Sequence, residues 1–207
     1  MFTFLGALLN FFVHFLYKRK WVDIKRRIWH CKQGGGCPLN FFLRGINTVV
    51  ILQIKDIGDI VLELDAAAAP ITVANFLELV GVGFYDSLIF HRVISGFMIQ
   101  GGCPEGTGMG GSGKKIKGEF ASNGIKNPIK HVRGVISMAR STDPNAASSQ
   151  FFIMHADAPH LDGQYAAFGK VVSGMDVVDR IAEAVTDYAD RPFQNIVIER
   201  AYIREEQ

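Results

Sequence analysis

One segment of the chain, Phe90–Gly102, contains the residue types whose spacing could support chemistry. It places Arg92 among apolar and aromatic residues. Alternate side chains of a β-strand share a face, so we expect Arg92 to face the same side as Phe90 and Ile94. A charged side chain with such neighbours must be paired or be offered to a ligand. On this feature alone, Arg92 is either a ligand-binding arginine or an ordinary surface arginine.

The surrounding chain predicts short strands and two helices that would position this segment. The strand-like segments are rich in β-forming residues, and Gly-rich turns separate them. The predicted strands cover 48–55, 59–64, 88–94, 97–100, 134–138, 150–154, 167–172 and 195–203. One helix is predicted from Pro70 to about Gly81, and the other over 175–184. The first two strands should form a hairpin. Many short strands with few helices favour a mainly β fold, a closed barrel.

Several motifs follow one another along the chain: Phe90–Gly102, the glycine-rich 106–113, Gly118-Glu119, Arg133–Ala139, Ser149–Ile153, His160–Gly163 and Ala167–Val171. With these motifs in this order, the chain resembles the cyclophilin family of peptidyl-prolyl cis-trans isomerases over residues 48–204. The chain looks closest to bacterial cyclophilins. The resemblance implies a closed eight-stranded antiparallel barrel capped by two helices.

The resemblance also implies an activity. It predicts an isomerase that accelerates rotation about X-Pro peptide bonds in peptides and folding proteins. This rotation needs no covalent step, so we expect neither a cofactor nor a metal. The alternative is a proline-peptide binding module or chaperone that uses the same pocket and whose turnover is incidental.

The resemblance assigns roles to individual residues. Arg92 would stabilise the twisted prolyl amide, Gln100 would bind substrate and help position Arg92, and His91 would support the site beside them. The substrate-binding residues that it implies are Phe97, Met98, Ala139, Arg140, Gln150, Phe152, His160, Leu161 and Tyr165. Phe97, Met98, Phe152 and Leu161 match the apolar proline pocket. The backbone of Ala139 and Arg140 would pair with the bound peptide as an added strand.

Two wall positions depart from the best-known eukaryotic members of the family. His160 stands where they have Trp, and Tyr165 stands where they have His. Loss of the Trp removes a large aromatic surface and an indole N–H donor. We therefore expect catalysis to survive and any binding of the inhibitor cyclosporin to be weakened. Cys103, beside the predicted pocket, is either an exposed, reactive thiol or a buried, inert one.

Residues 1–46 form a separate unit that precedes the predicted isomerase domain, 47–207. They carry eight basic and one acidic side chain, a net charge of +7, whereas the remainder carries 14 and 19, a net charge of −5. An apolar run, 2–17, is followed by basic clusters, so residues 2–27 could contact a membrane. Two other interpretations stay open, a helix that packs on the body or a partner, and a segment outside the working protein.

Other features exclude several classes of protein. A body of net negative charge is a poor nucleic-acid binder. Three Cys are too few for a disulfide framework, so we expect a reducing compartment, the cytoplasm, with membrane association as the alternative location. We also expect a monomer. Residues 108–115 resemble a phosphate-binding loop but have Lys115 where Ser or Thr is needed, and they indicate a surface loop instead. His30, Cys31 and Cys37 are too few for a structural zinc site.

Overall fold

The computed structural model describes residues 48–204, which form eight strands and two helices. The strands are β1 Thr48–Ile54, β2 Gly58–Leu64, β3 Arg92–Ile94, β4 Met98–Gly101, β5 Val135–Met138, β6 Phe151–Met154, β7 Ala167–Ser173 and β8 Ile198–Ile203. The helices are α1 Pro70–Gly81 and α2 Met175–Ala182. All ten predicted elements are confirmed, although β3 and β8 begin later than predicted.

The strands form one antiparallel sheet in the order β3-β4-β6-β5-β7-β2-β1-β8. The predicted β1–β2 hairpin is confirmed, with Thr48 opposite Leu64 and Ile54 opposite Gly58. The edge strands β3 and β8 do not pair with each other. An isolated bridge between Ile89 and Val197 links the segments that precede them. The sheet is therefore strongly curled, and full closure of the barrel stays a prediction.

The inner face of the sheet encloses the main hydrophobic core, which we call the inner core. Its largest members are aromatic, and they meet edge-on or tilted at centroid distances of 5.0–6.2 Å: Phe76, Tyr85, Phe90, Phe151 and Phe168. The Tyr85 hydroxyl donates to the Ser149 carbonyl at 3.0 Å, so its polar end is satisfied. Burial raises the pKa of Tyr85 well above its usual value. These contacts make a closed, satisfied interior.

Helix α1 is held at its first turn by a side chain from a distant loop. Pro70 begins the helix, and no side chain of its own caps it. Instead the buried Glu119 carboxylate accepts from the backbone N–H groups of Ile71 and Thr72 at 3.1 and 2.8 Å, and from the Thr72 hydroxyl. A carboxylate at a helix N-terminus satisfies free N–H groups and complements the helix dipole. The loop that borders the site is thereby fixed to the scaffold.

Residues 1–46 lie outside the described residues. The expectations for this segment, and the boundary between the two predicted units, therefore stay predictions. Within 48–204, neither helix has the length and apolar character that crossing a bilayer requires.

Candidate active site

The β3–β4 hairpin places Arg92 at the outer face of the sheet. Arg92 lies directly opposite Gln100, and Ile94 lies opposite Met98. Opposite residues of an antiparallel pair point to the same face, so these four side chains form one surface. The Arg92 side chain is 45% exposed. The prediction that Phe90 shares this surface is wrong. Phe90 is buried in the inner core, because the regular strand begins only at Arg92.

A second group of apolar residues covers the outer face, and we call it the outer cluster. Its buried members are Met98, Val135, Phe152, Met154, Ala158 and Ala167. Partly buried residues complete its rim: Ile94, Phe97, Ile129, Ala139, Leu161 and Tyr165. The four residues predicted to form the proline pocket, Phe97, Met98, Phe152 and Leu161, all belong to it. The structure therefore brings them together beside Arg92.

Aromatic contacts fix the walls of the outer cluster. Phe152 stacks on His131 at 6.1 Å and meets Tyr165 edge-on at 5.7 Å. Phe97 stacks on His160 at 5.7 Å, with an interplanar angle of 26°. His160 and Tyr165, the two wall positions predicted to depart from the resemblance, thus contact residues of the predicted pocket directly.

His131 is a residue at this site that the sequence analysis missed. It is almost fully buried, and its ring nitrogens lie 3.2 Å from Asp162 Oδ1 and 3.1 Å from Ser137 Oγ. Burial lowers the pKa of His131 and outweighs the nearby Asp162 carboxylate, which raises it. The neutral His131 ring can be buried without the cost of a buried charge, and it packs flat against the Phe152 ring. A single histidine in an irregular segment carries no pattern that would have identified it.

Gln100 and Gln150 form a connected polar edge beside the apolar wall. The Gln100 amide donates to Gln150 Oε1 at 2.9 Å. The Gln150 amide in turn donates to the carbonyls of Gly108 and Gly110 at 2.8 and 2.7 Å. Within residues 48–204, the Gln100 side chain makes no hydrogen bond to the Arg92 side chain. The structure thus places Gln100 opposite Arg92 but ties its side chain to the glycine-rich loop.

An open groove of about 520 Å³ extends from Gln100 along this loop to Ala139–Ser141. The loop turns without forming a helix, and its left-handed φ angles of 63°, 83° and 79° fall at Gly106, Gly108 and Gly113. Backbone of that hand favours glycine. The prediction of a surface loop, rather than a phosphate-binding strand–loop–helix, is confirmed.

Ala139 and Arg140 form the opposite wall of the groove. The Ala139 N–H donates to the Gln150 carbonyl at 3.0 Å. The Arg140 guanidinium donates to the carbonyls of Ser141, Thr142 and Gln164 and lies 4.7 Å from the Tyr165 ring centroid. The main-chain N–H and C=O of Arg140 make no hydrogen bond within the described part of the chain. These groups lie two residues beyond the end of β5 and are unpaired.

His91 and Cys103 lie behind the site. His91 is 6% exposed, and neither ring nitrogen has a hydrogen-bond partner among residues 48–204. Burial lowers the pKa of His91, and the positive charges of Arg191 and Arg92 lower it further. A neutral, unpartnered ring agrees with a supporting role, which stays a prediction. Cys103 is fully buried, so of its two predicted states the buried one is found.

Asp190 is the second residue that the sequence analysis missed, and it is the partner of Arg92. Its Oδ2 lies 3.2 Å from Arg92 Nε. The two residues are 98 positions apart in the chain, and Asp190 lies in a loop without strand or helix pattern. Across 48–204, no three His, Cys, Asp or Glu side chains approach one another closely enough to hold a metal ion. His30, Cys31 and Cys37, which are too few for a structural zinc site, lie outside the described residues.

Comparison with protein families gives a match over residues 49–203, to the cyclophilin type peptidyl-prolyl cis-trans isomerase/CLD domain. A peptidyl-prolyl cis-trans isomerase of Arabidopsis thaliana is 46% identical over 149 residues, which cover 72% of this chain and 91% of that protein. A bacterial relative of the same name from Helicobacter pylori is 51% identical over 128 residues, covering 61% and 76%. Peptidyl-prolyl cis-trans isomerase B of Bacillus subtilis is 50% identical over 123 residues, covering 59% and 82%.

Solved structures agree with this match. A cyclophilin type isomerase of Cryptosporidium parvum, crystallised in the presence of the dipeptide Ala-Pro, superimposes with a TM-score of 0.70. It is 34% identical, and the match covers 76% of this chain and 99% of that one. A cyclophilin of Hirschia baltica is 26% identical with a TM-score of 0.63, covering 75% and 73%. The chain therefore belongs to the cyclophilin-type peptidyl-prolyl cis-trans isomerases, an enzyme family of the isomerase class.

Proposed function

We propose that Arg92 accelerates rotation about X-Pro bonds by stabilising the twisted amide. The barrier to this rotation is about 18–20 kcal/mol, because resonance commits the nitrogen lone pair to the peptide plane. The cis and trans states of X-Pro differ by only about 0.5–1 kcal/mol. An effective catalyst must therefore bind the twisted state more tightly than either planar state.

The chemistry of Arg92 suits that state. When the bond twists, the prolyl nitrogen becomes pyramidal and its lone pair is free to accept a hydrogen bond. A guanidinium keeps its protons in proteins, so it acts as a charged hydrogen-bond donor and not as an acid. Apolar surroundings strengthen such an interaction. No proton, electron or covalent bond is transferred, so the reaction needs no cofactor.

One observation carries the proposal: a half-exposed guanidinium stands at the rim of an apolar cluster that remains partly open. The hairpin that presents Arg92 also sends Met98 into the cluster, two residue pairs along the hairpin and on the same face. A proline ring against Phe97, Met98, Phe152 and Leu161 would thus place its nitrogen near Arg92. Gln100, Gln150, His160 and Tyr165 would form the remaining walls.

The peptide backbone would add as a strand along Ala139 and Arg140. The unpaired main-chain groups of Arg140 support this step, since free backbone N–H and C=O groups are what an extended peptide can pair with. The Ala-Pro dipeptide present with the Cryptosporidium relative supports proline-containing peptides as ligands. Peptides and unfolded proteins are then the substrates, and assistance to folding is the role.

The remaining proposals concern partners and location. Cyclosporin would bind weakly, because His160 offers less aromatic surface than Trp. A cytoplasmic monomer stays our proposal, with contact to a membrane through residues 2–27 as the alternative. Detergent or liposome partitioning of the full chain against residues 47–207 would test the alternative.

The test of Arg92 is the exchange between the cis and trans forms of a short X-Pro peptide, measured by NMR. We expect Arg92→Ala to slow exchange by about 100-fold or more, the usual cost of removing one transition-state donor. Arg200→Ala, an exposed arginine of β8, is the matched control and should keep the wild-type rate. A folded wild-type protein that does not accelerate exchange would instead indicate a binding module. An Arg92→Ala variant with full activity would refute the role of Arg92.

A further inference from the structure

We propose that Asp190 is a positioning residue that orients the Arg92 guanidinium towards the substrate. The inference rests on the proposed function of Arg92. It starts from the contact between Asp190 Oδ2 and Arg92 Nε at 3.2 Å. No other hydrogen bond from the guanidinium is found within residues 48–204. Asp190 thus holds the inner nitrogen and leaves both terminal nitrogens, Nη1 and Nη2, available to the prolyl amide.

Gln100, the residue expected to help position Arg92, is hydrogen-bonded to another side chain. Gln100 lies directly opposite Arg92 in the hairpin, but its amide donates to Gln150 Oε1. Gln150 is itself anchored to the glycine-rich loop through two carbonyls. Reorienting Gln100 towards Arg92 would break this chain of hydrogen bonds. Asp190 is therefore the group that restricts the guanidinium before substrate arrives.

The loop around Asp190 is built to hold that carboxylate in place. The Asp187 carboxylate accepts from the N–H groups of Ala189 and Arg191 at 2.8 and 3.0 Å. The Asp187 N–H donates to the Arg191 carbonyl at 2.9 Å, which closes the turn. The Asp190 carbonyl accepts from the Val93 N–H at 2.8 Å, so the turn is docked directly on β3. The tip of the loop and the strand that carries Arg92 are thus joined through their backbones.

Asp190 also adopts a backbone conformation that glycine would adopt at lower cost. Its φ angle is 63°, in the left-handed region. Asp and Asn tolerate this region better than most residues but still less readily than glycine. Glycine at this position would relieve the backbone and lose the carboxylate. The Asp190 side chain contacts Arg92, and this contact accounts for an aspartate at a position where glycine would be less strained.

The contact acts on orientation more than on stability. Arg92 and Asp190 are 45% and 40% exposed, and an ion pair between exposed side chains adds little to folding. A long arginine side chain has many rotamers, however, and fixing it in advance removes that cost from the catalytic step. We expect loss of the contact to slow exchange about 3- to 10-fold, the effect of releasing one such side chain.

If only the positive charge of Arg92 mattered, removal of Asp190 would speed exchange and not slow it. This is because the Asp190 carboxylate partly neutralises that charge. Asp190→Asn separates the two effects, because the asparagine Oδ1 still accepts a hydrogen bond from Nε but carries no charge. A positioning role predicts that Asp190→Ala is slow and that Asp190→Asn recovers most of the rate.

The experiment is a double-mutant cycle on Arg92 and Asp190 in the full chain, with NMR exchange and peptide affinity as the readouts. Asp190→Ala should lower exchange at saturating peptide and leave the dissociation constant near wild type. The thermal midpoint should fall slightly, because alanine tolerates the left-handed backbone at this position less readily than aspartate does. On the Arg92→Ala background it should change the residual rate no further, since no guanidinium is left to orient. Asp59→Ala, which removes an exposed carboxylate of β2, is the control and should have no effect.

The outcomes separate the two claims. A wild-type or faster rate for Asp190→Ala overturns the positioning role, as does an equal further loss on the Arg92→Ala background, which would indicate a structural role of the loop. In both cases the function of Arg92 stands. Full activity of Arg92→Ala, in contrast, refutes the proposed function and the positioning role with it.

Discussion

The inner core and the outer cluster are made from the same strands, and they differ in how completely they are covered. On β6, Phe151 points inward and Phe152 points outward; on β4, Ile99 and Met98 do the same. Alternation with period two therefore distributes similar apolar residues to two faces. The inner face is enclosed by the curled sheet and its helices, whereas the outer face keeps a partly exposed rim. Apolar residues that are gathered but not fully covered identify the candidate site.

Phe151 and Phe152 are neighbouring residues of the same type, one in the inner core and one in the outer cluster. Replacing each by alanine therefore compares the two regions directly, and it gives the largest expected effects. Phe151→Ala should lower the free energy of unfolding by about 3–5 kcal/mol, because the enclosed core cannot collapse around the lost ring. Urea denaturation measures this loss. A cost below about 1.5 kcal/mol, the low end of the transfer value for a fully buried side chain, would show that the inner core is not closed.

Phe152→Ala should have a smaller effect on stability and a direct effect on binding. The vacated space adjoins the partly exposed rim of the outer cluster, so water can enter and only the transfer cost of about 1.5–3 kcal/mol is expected. Removal of the ring from the proline pocket should weaken peptide binding by about tenfold or more. Titration of an X-Pro peptide measures this change, with the folded fraction set equal by denaturation curves. Unchanged affinity would place the proline pocket elsewhere.

Acid should act on the outer cluster through His131. Burial lowers the pKa of His131 in the folded state, whereas in the unfolded chain it is about 6.5. Between these values the unfolded chain binds more protons, so the free energy of unfolding falls as the pH drops below about 6.5. For one histidine the slope is at most about 1.4 kcal/mol per pH unit.

Denaturation curves between pH 8 and pH 5 measure this dependence. His91, whose pKa burial also lowers, contributes in the same direction. His131→Gln removes one titrating group and keeps a side chain able to hydrogen-bond, so it should flatten the curve without abolishing the slope. A variant whose curve parallels that of the wild type would contradict the assignment to His131.

Cys103 lies just after β4, and its reactivity shows whether the enclosed interior extends to the start of the glycine-rich loop. The expected effect, protection of one thiol, is the smallest of those considered. Burial raises the pKa of this thiol, but the backbone N–H groups of the following loop outweigh it and lower the pKa overall. The nearest donor, the Gly108 N–H, lies 3.3 Å from Sγ. The thiolate is thus favoured electrostatically but shielded from reagents, since the residue is fully buried.

We therefore expect negligible alkylation of Cys103 in the folded protein and full alkylation after denaturation. Peptide mass spectrometry measures it, because it separates this site from Cys31 and Cys37. Rapid modification under native conditions would mean that the loop opens.

The strands and helices could be predicted because their signals are local. Alternation along β2 and the helical spacing after Pro70 each depend on a few neighbouring residues. The pocket could be predicted because motifs spread along the chain occur in the order of a known family. The sheet then brought those residues to one face. Pairing register, which only the folded chain reveals, placed Gln100 opposite Arg92.

Features that depend on distant contacts could not be predicted. The face of Phe90 was wrong because it depends on where regular strand geometry begins. The capping of α1 by Glu119 and the pairing of Arg92 with Asp190 join residues about 50 and 100 positions apart, and neither has a periodic signal. The hydrogen bond of Gln100 to Gln150, and not to Arg92, follows from loop geometry that the pattern does not encode.

The most direct test of the central claim measures binding and rotation in the same samples of wild type and Arg92→Ala. Peptide affinity comes from titration, and the exchange rate at saturating peptide comes from NMR. The account predicts that the variant binds within a few-fold of wild type, because the outer cluster is intact, while exchange falls by about 100-fold or more. If exchange persists, or falls only in proportion to lost binding, Arg92 does not stabilise the twisted amide and the account is wrong.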